Sequence, residues 1–265
     1  MTISNILEDV ADYLQYRREE GDVAVEVDPA VVSRLQAACS GIKASAQQEM
    51  RTATMTRQNE TPPASAPAPG ITANEPDSIS AITDEIAACT LCALHKTRNR
   101  TVPGQGNPSP EIMFVGEAPG ADEDAQGLAF VGRAGKLLTR MLENLGLSRE
   151  EVFIANILKC RPPDNRTPLP DEIELCRPYL ERQIKLLKPK AIVALGGTAV
   201  RGLLGDETPI SKIRGRWMTY QNTPLMPTFH PSYLLRNQKA RWDVWADMLE
   251  VLKHTGHPLP PSTKT

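Results

Sequence analysis

The residues of this chain whose types and spacing could do chemistry are a set of cysteines, a run of carboxylates and one histidine. Cys89 and Cys92 stand as C-T-L-C, followed by Cys160 and, after 15 intervening residues, Cys176. Four thiolates can hold a tetrahedral zinc or an iron–sulfur cluster. Structural zinc sites commonly use two close pairs, and Cys160 and Cys176 are not one. The spacing therefore favours a cluster and leaves zinc, or two independent core thiols, as alternatives. Cys39, alone beside Ala37 and Ala38, reads as a small buried hydrophobe. A second group begins where the apolar run Ile112–Val115 enters G-E-A-P-G-A-D-E-D, residues Gly116–Asp124. Two glycines and a proline make a tight turn there, and three acidic residues follow it. Phe130 is a core residue or a stacking platform. Gly132–Lys136 lacks the glycine spacing and the Ser or Thr of a phosphate loop. Asn156 is a polar residue within the apolar run Val152–Leu158, where its amide ties loops together or reads the edge of a base. His230 opens H-P-S-Y-L-L-R. From Pro209 to Arg241 there are six basic residues (Lys212, Arg214, Arg216, Arg236, Lys239 and Arg241) and no acidic one, which suggests a polyanionic partner.

Positioning these residues requires a scaffold. Short apolar runs at Ile112–Val115, Val152–Leu158, Ala191–Leu195 and Leu225–Phe229 alternate with amphipathic stretches at Ala134–Leu145, Asp171–Leu187, Thr198–Leu204 and Ala240–Lys253. Such alternation implies right-handed crossovers and a parallel sheet with helices on both faces. In these sheets ligands bind beyond the carboxyl ends of the strands, which is where Gly116, Asn156 and His230 fall. Pro170 followed by Asp171 and Glu172 suits a helix start.

The chain has 265 residues, 40% of them hydrophobic, with 30 basic residues against 32 acidic and a net charge of −2. A uniformly positive surface is excluded, though a local basic face is not. No apolar run is long enough to span a membrane, and the first 20 residues do not read as a secretory signal. An odd number of cysteines, five, argues for a reducing cytoplasm. Three segments are expected: a helical extension over 1–55, a Pro/Ala/Ser-rich tether over 56–77, and a folded body over 78–265. The stretch to Glu60 carries 10 acidic and 6 basic residues, so residues 1–55 are a candidate site for a protein partner.

G-E-A-P-G-A-D-E-D, N-I-L-K-C-R-P-P, H-P-S-Y-L-L-R and the C-x2-C…C-x15-C spacing together resemble the iron–sulfur (family 4) uracil-DNA glycosylases, over roughly residues 78–254. The resemblance implies a three-layer α/β/α sandwich around a four-stranded parallel sheet. It also implies a monofunctional hydrolase that flips uracil out of single- or double-stranded DNA and cleaves its N-glycosidic bond in base excision repair; the chain is expected to be a monomer. It assigns a structural [4Fe–4S] cluster to Cys89, Cys92, Cys160 and Cys176. By the same resemblance the base would lie against Gly116, Glu117, Ala118, Phe130 and Asn156, and His230 would donate to the departing uracil. Leu234 or Leu235 wedges into the vacated stack, with Ser232, Arg236, Lys239 and Arg241 along the DNA. Ala118 stands where other uracil glycosylases carry Asp or Asn, so the family pattern moves the water-activating role to the acidic cluster. Glu123 is the first candidate there, ahead of Asp124, which would orient a neighbour, and Glu117, which would shape the pocket beside the base. A related branch traps its product on a His after the second strand. Arg161–Pro168 has none, so turnover without a covalent intermediate is expected. Two rival readings remain: a non-catalytic DNA-binding accessory of the same fold, and a glycosylase for another deaminated base.

Overall fold

The structure, a computed structural model, describes residues 77–260. The extension expected over 1–55, the tether up to residue 76 and Cys39 lie outside the described residues.

The elements run in the order α1 (Ile79–Ala88), a 3-10 turn (Ala93–Lys96), β1 (Gln105–Gly106), β2 (Ile112–Gly116), α2 (Ala121–Gln126) and α3 (Arg133–Asn144). Next come β3 (Phe153–Asn156), a 3-10 turn (Pro163–Asn165), α4 (Pro170–Leu187), β4 (Ala191–Leu195), α5 (Gly197–Leu204), α6 (Ile210–Ile213), β5 (Met218–Tyr220) and β6 (Thr223–Thr228). The described chain ends with α7 (Pro231–Arg236), a 3-10 turn (Gln238–Ala240) and α8 (Arg241–Thr255). The sheet order is β1-β3-β2-β4-β6-β5. Its middle four strands are parallel, while β1 and β5 pair antiparallel at the edges.

Every residue of β2 and of β4 is buried, as expected of strands covered on both faces, which read as unbroken apolar runs. Alternate residues serve opposite layers. Met113, Val115, Ile192 and Ala194 pack into one core with α4 and α5. Ile112, Phe114, Ala191 and Val193 pack into the other with α3 and α8. The architecture is thus the three-layer sandwich expected.

The expected four strands are the parallel ones; the sheet has six. β1 is only two residues long. β5 joins β6 through Gln221 and Asn222, whose φ values of 46° and 68° form a two-residue hairpin turn. Such turns usually announce themselves by glycine, which is absent here.

The chain leaves β2 for β3 on one side and returns across it to β4 on the other. The crevice of such a sheet opens where the connections diverge, beyond the carboxyl ends of β2 and β4. Gly116–Gly120 and Gly196–Gly197 stand at that crevice, flanked by the ends of β3 and β6.

Candidate active site

Gly116 ends β2 directly opposite Asn156 at the end of β3. A Cβ at Gly116 would lie 2.5 Å from Asn156 Oδ1 and 2.5 Å from Phe130 Cζ. The missing side chain is therefore what lets the asparagine and the phenyl ring meet at the strand end. Phe130 has φ 54°, a left-handed conformation costing about 1–3 kcal/mol in a bulky residue. It is clamped from two directions. The Arg149 guanidinium donates to the carbonyls of Ala129 (2.6 Å) and Phe130 (3.0 Å). The amides of Val131 and Gly132 donate to Glu123 Oε1, both at 2.8 Å. Gly135 permits the loop to close, because a Cβ there would sit 1.9 Å from the Phe130 carbonyl oxygen.

Asn156 is 1% exposed, and its Oδ1 has no hydrogen-bond partner among the described residues. An orphaned buried acceptor costs about 1–3 kcal/mol, a cost that an N–H donor on a bound molecule removes. Its backbone carbonyl is held by Lys159 Nζ at 3.0 Å.

His230 follows β6 and caps α7. Its Nδ1 accepts from the Ser232 amide (3.1 Å) and lies 2.7 Å from Ser232 Oγ. With Nδ1 fixed as acceptor, the proton of the neutral ring sits on Nε2. One edge of the ring remains open, but the surrounding protein pushes its pKa down to about 4, so the imidazole is uncharged at neutral pH. The ring lies 5.6 Å from that of Phe130, tilted by 39°. A Cβ at Gly196 would come within 3.1 Å of His230 Cβ, so a glycine at the end of β4 leaves room for the ring.

The acidic residues separate into different roles. Glu123, besides its two bonds to the Phe130 loop, reaches back through Oε2 to the Gly120 amide at 3.1 Å. Three backbone donors thus occupy its carboxylate, leaving one Oε2 lone pair. Asp124 is buried and accepts from the Asn99 amide, Asn99 Nδ2 and the Arg100 amide, anchoring the segment before β1. Asp122 is exposed. Glu117 is half-buried beside Thr198, and burial pushes its carboxyl pKa up. Ala118 packs partly against the core that holds α4 and α5.

On the expected DNA side, one expectation needs correcting. Leu234 is fully buried: helical spacing from Pro231 turns both residues into the core, so Leu234 is not free to enter a base stack. Leu235, one position on, is half-buried, and Ser232, Arg236, Lys239 and Arg241 are exposed. Arg214 turns inward onto the buried Asp247, which also accepts from Thr228 at 2.6 Å and so secures the end of β6. A separate groove of about 620 Å³ between α3 and α8 contains none of the residues at the strand ends.

Cys89, Cys92, Cys160 and Cys176 line one small cavity, bringing together the segment after α1, the loop after β3 and α4. Among the described residues they do not close into a single-ion cage. Burial pushes the thiols of Cys92 and Cys160 up and that of Cys176 up to about 12. Donors nonetheless surround them. Arg98 Nη1 lies 3.1 Å from Cys160 Sγ, the Lys159 amide 3.3 Å from Cys176 Sγ, and Tyr179 bonds Cys89. Lys159 itself is 1% exposed, its Nζ bonded only to the Asn156 carbonyl and Gln183 Oε1. A buried ammonium without a carboxylate beside it calls for an anionic group nearby. The donor set therefore fits a thiolate-bound group of net negative charge. Neither Lys159 nor Arg149 stood out in the sequence. A lysine next to a candidate ligand within an apolar run was the available signal for the first; Arg149 offered none.

Fold and site define a doubly wound α/β protein whose switch-point recess suits a flat ring bearing an N–H. The model of the uracil DNA glycosylase superfamily matches residues 103–252. A type-4 uracil-DNA glycosylase of Archaeoglobus fulgidus is 42% identical over 194 residues, 69% of this chain and 96% of the relative. Those of Thermotoga maritima and Saccharolobus solfataricus are each 47% identical, over 59% and 66% of this chain and 83% and 85% of their own lengths. The chain belongs to the uracil DNA glycosylase superfamily.

Two outcomes follow from this geometry. Gly116→Ala drives a methyl onto Asn156 Oδ1 and Phe130, so ligand binding at the recess should fall by at least tenfold, as measured by titration calorimetry, while cooperative unfolding persists. His230, near 6.5 when unfolded and about 4 when folded, is proton-free in the folded chain where the unfolded chain binds a proton. Its contribution to stability is therefore whole above pH 6.5 and lost as pH falls from 6.5 to 4. Denaturant midpoints of the native protein should drop more steeply over that window than those of His230→Gln; equal slopes would contradict a buried neutral imidazole.

Proposed function

We propose that this protein is a uracil-DNA glycosylase that hydrolyses the N-glycosidic bond of a flipped-out deoxyuridine, with a [4Fe–4S] cluster in a structural role. The observation that carries the reading is the unpaired Oδ1 of Asn156 in the recess shared by Phe130 and His230. Uracil presents an N3–H donor flanked by two carbonyls, so Oδ1 accepts from N3–H while the amide nitrogen donates to the neighbouring carbonyl. Cytosine has an acceptor at N3 and an amine beside it, and would set acceptor against acceptor. The similarity to type-4 uracil-DNA glycosylases supports the same substrate.

A base inside a duplex is out of reach, so the nucleotide leaves the stack at a cost of a few kcal/mol. Phe130 then covers one face of the base. As the bond from N1 to the sugar C1′ lengthens, negative charge collects on uracil and positive charge on the sugar. The neutral His230 Nε2–H meets the charged carbonyl, a preorganised donor of the kind whose loss costs about 3 kcal/mol. A water held on the remaining lone pair of Glu123 Oε2 adds to C1′ and gives its proton to that carboxylate. Uracil departs as the anion, and no bond to protein forms. Glu117 shapes the wall beside the base. Leu235 takes the wedge role, and Arg236 holds phosphate. Cys89, Cys92, Cys160 and Cys176 would hold the cluster, which when bound cross-links three chain segments and supplies the negative charge facing Lys159.

The test is a uracil-containing oligonucleotide incubated with the protein and then with alkali. Strand breaks at uracil and none at cytosine are expected; intact strands would reject the reading. Under single-turnover conditions His230→Ala should slow cleavage by two to three orders of magnitude with DNA affinity nearly unchanged. Glu123→Ala should lose on the order of a hundredfold or more; unchanged turnover would pass the role to Glu117. The purified protein should be brown and yield four iron and four acid-labile sulfide per chain, whereas stoichiometric zinc in a colourless protein would contradict the cluster.

A further inference from the structure

The groove between α3 and α8 is not used by any step above. Its floor is apolar, with Met141, Trp245 and Met248 among its lining residues, and its rim carries Arg140, Lys239 and Arg241. No lining residue is acidic, and none of the three cations forms an ion pair among the described residues. Trp242, on the same rim, is 70% exposed, an unusual position for the largest apolar side chain. Flat aromatic surface beside unpaired cations is how proteins hold single-stranded nucleic acid, whose bases stack while its phosphates pair with Lys and Arg. The groove is linked to the site through the chain itself. α7, which begins immediately after His230, runs through the Gln238–Ala240 turn into α8, bringing Lys239, Arg241 and Trp242 one after another from that point.

We propose that this groove binds one or two unpaired nucleotides flanking the uracil, with a base stacked on Trp242 and phosphates on Arg140, Lys239 and Arg241. The inference rests on the uracil-glycosylase reading and adds to it a preference for single-stranded flanks on one side of the lesion.

The full chain is titrated with single-stranded oligonucleotides whose uridine carries a cleavage-blocking 2′-fluorine, extended by zero to six nucleotides on either side. Tryptophan fluorescence and affinity are read together. Affinity should rise with length on one polarity only, with quenching of indole emission that Trp242→Ala removes. That variant should lose on the order of tenfold in affinity for the long oligonucleotide, and Trp242→Phe should recover most of it. The ratio of kcat/KM on long to short cleavable substrates should fall by a similar factor through KM. Arg140→Gln should lower the salt slope of binding by about one. Length-independent affinity, or equal length dependence in Trp242→Ala, overturns the inference while leaving uracil release from the shortest substrate intact. Failure of the native chain to release uracil from any substrate overturns the function instead, and DNA-induced quenching at Trp242 still reports on the groove. Quenching by an acidic leucine-rich peptide but not by DNA would also overturn it, making the groove a protein-docking site.

Discussion

One carbonyl oxygen organises this molecule's site. Asn156 Oδ1 is buried at the end of β3 with no donor to meet it, and a folded protein retains such an atom at a cost comparable to a sizeable share of its net stability. The neighbouring structure is arranged so that the acceptor cannot turn away or be covered. Gly116 withholds the side chain that would fill the space, Phe130 is held in a strained backbone conformation against it, and Lys159 grips the asparagine's own backbone from behind. Strain and an unsatisfied atom at one spot are what a recess preorganised for a ligand looks like.

Lys159 links this recess to the cysteine cavity. Its ammonium bonds the Asn156 carbonyl, and its amide bonds Cys176 Sγ. Burial lowers its pKa to about 8, and the neighbouring Cys176 works in the opposite direction. On the proposed reading, a group held by the four cysteines would tie the segment after α1, the loop after β3 and α4 to one another, and Lys159 would connect that junction to Asn156. On the other core, Glu123 and Arg149 do the equivalent for Phe130. The two helical layers therefore each hold one wall of the same recess.

Much of this was legible in the sequence because the relevant signals are local. β2 and β4 are unbroken apolar runs since both faces are covered, and Gly116, Asn156 and His230 fall at strand ends because a parallel sheet puts its loops there. The edge strands were not legible: β1 has only two residues, and the β5–β6 turn is made by Gln221 and Asn222 without a glycine. Leu234 misled because H-P-S-Y-L-L-R gives no phase for a one-and-a-half-turn helix, and burial of Pro231 carries Leu234 inward with it. The acidic run gave residue types but not partners. Only three-dimensional contacts separate Asp124, which anchors Asn99 and Arg100, from Glu123, which pins the phenylalanine loop. Arg149 was invisible for the same reason, since a single arginine in a turn has no pattern to betray that it clasps two carbonyls 19 and 20 residues away.

The central claim is that Asn156 Oδ1 is kept unpaired for the N3–H of uracil. Its most direct test is a crystal structure of the protein soaked with free uracil. The account predicts the base on Phe130, with N3 within hydrogen-bond distance of Asn156 Oδ1 and a carbonyl oxygen facing His230 Nε2. Uracil bound with its N3 edge turned away from Asn156, or an asparagine side chain paired with protein in the complex, would contradict it.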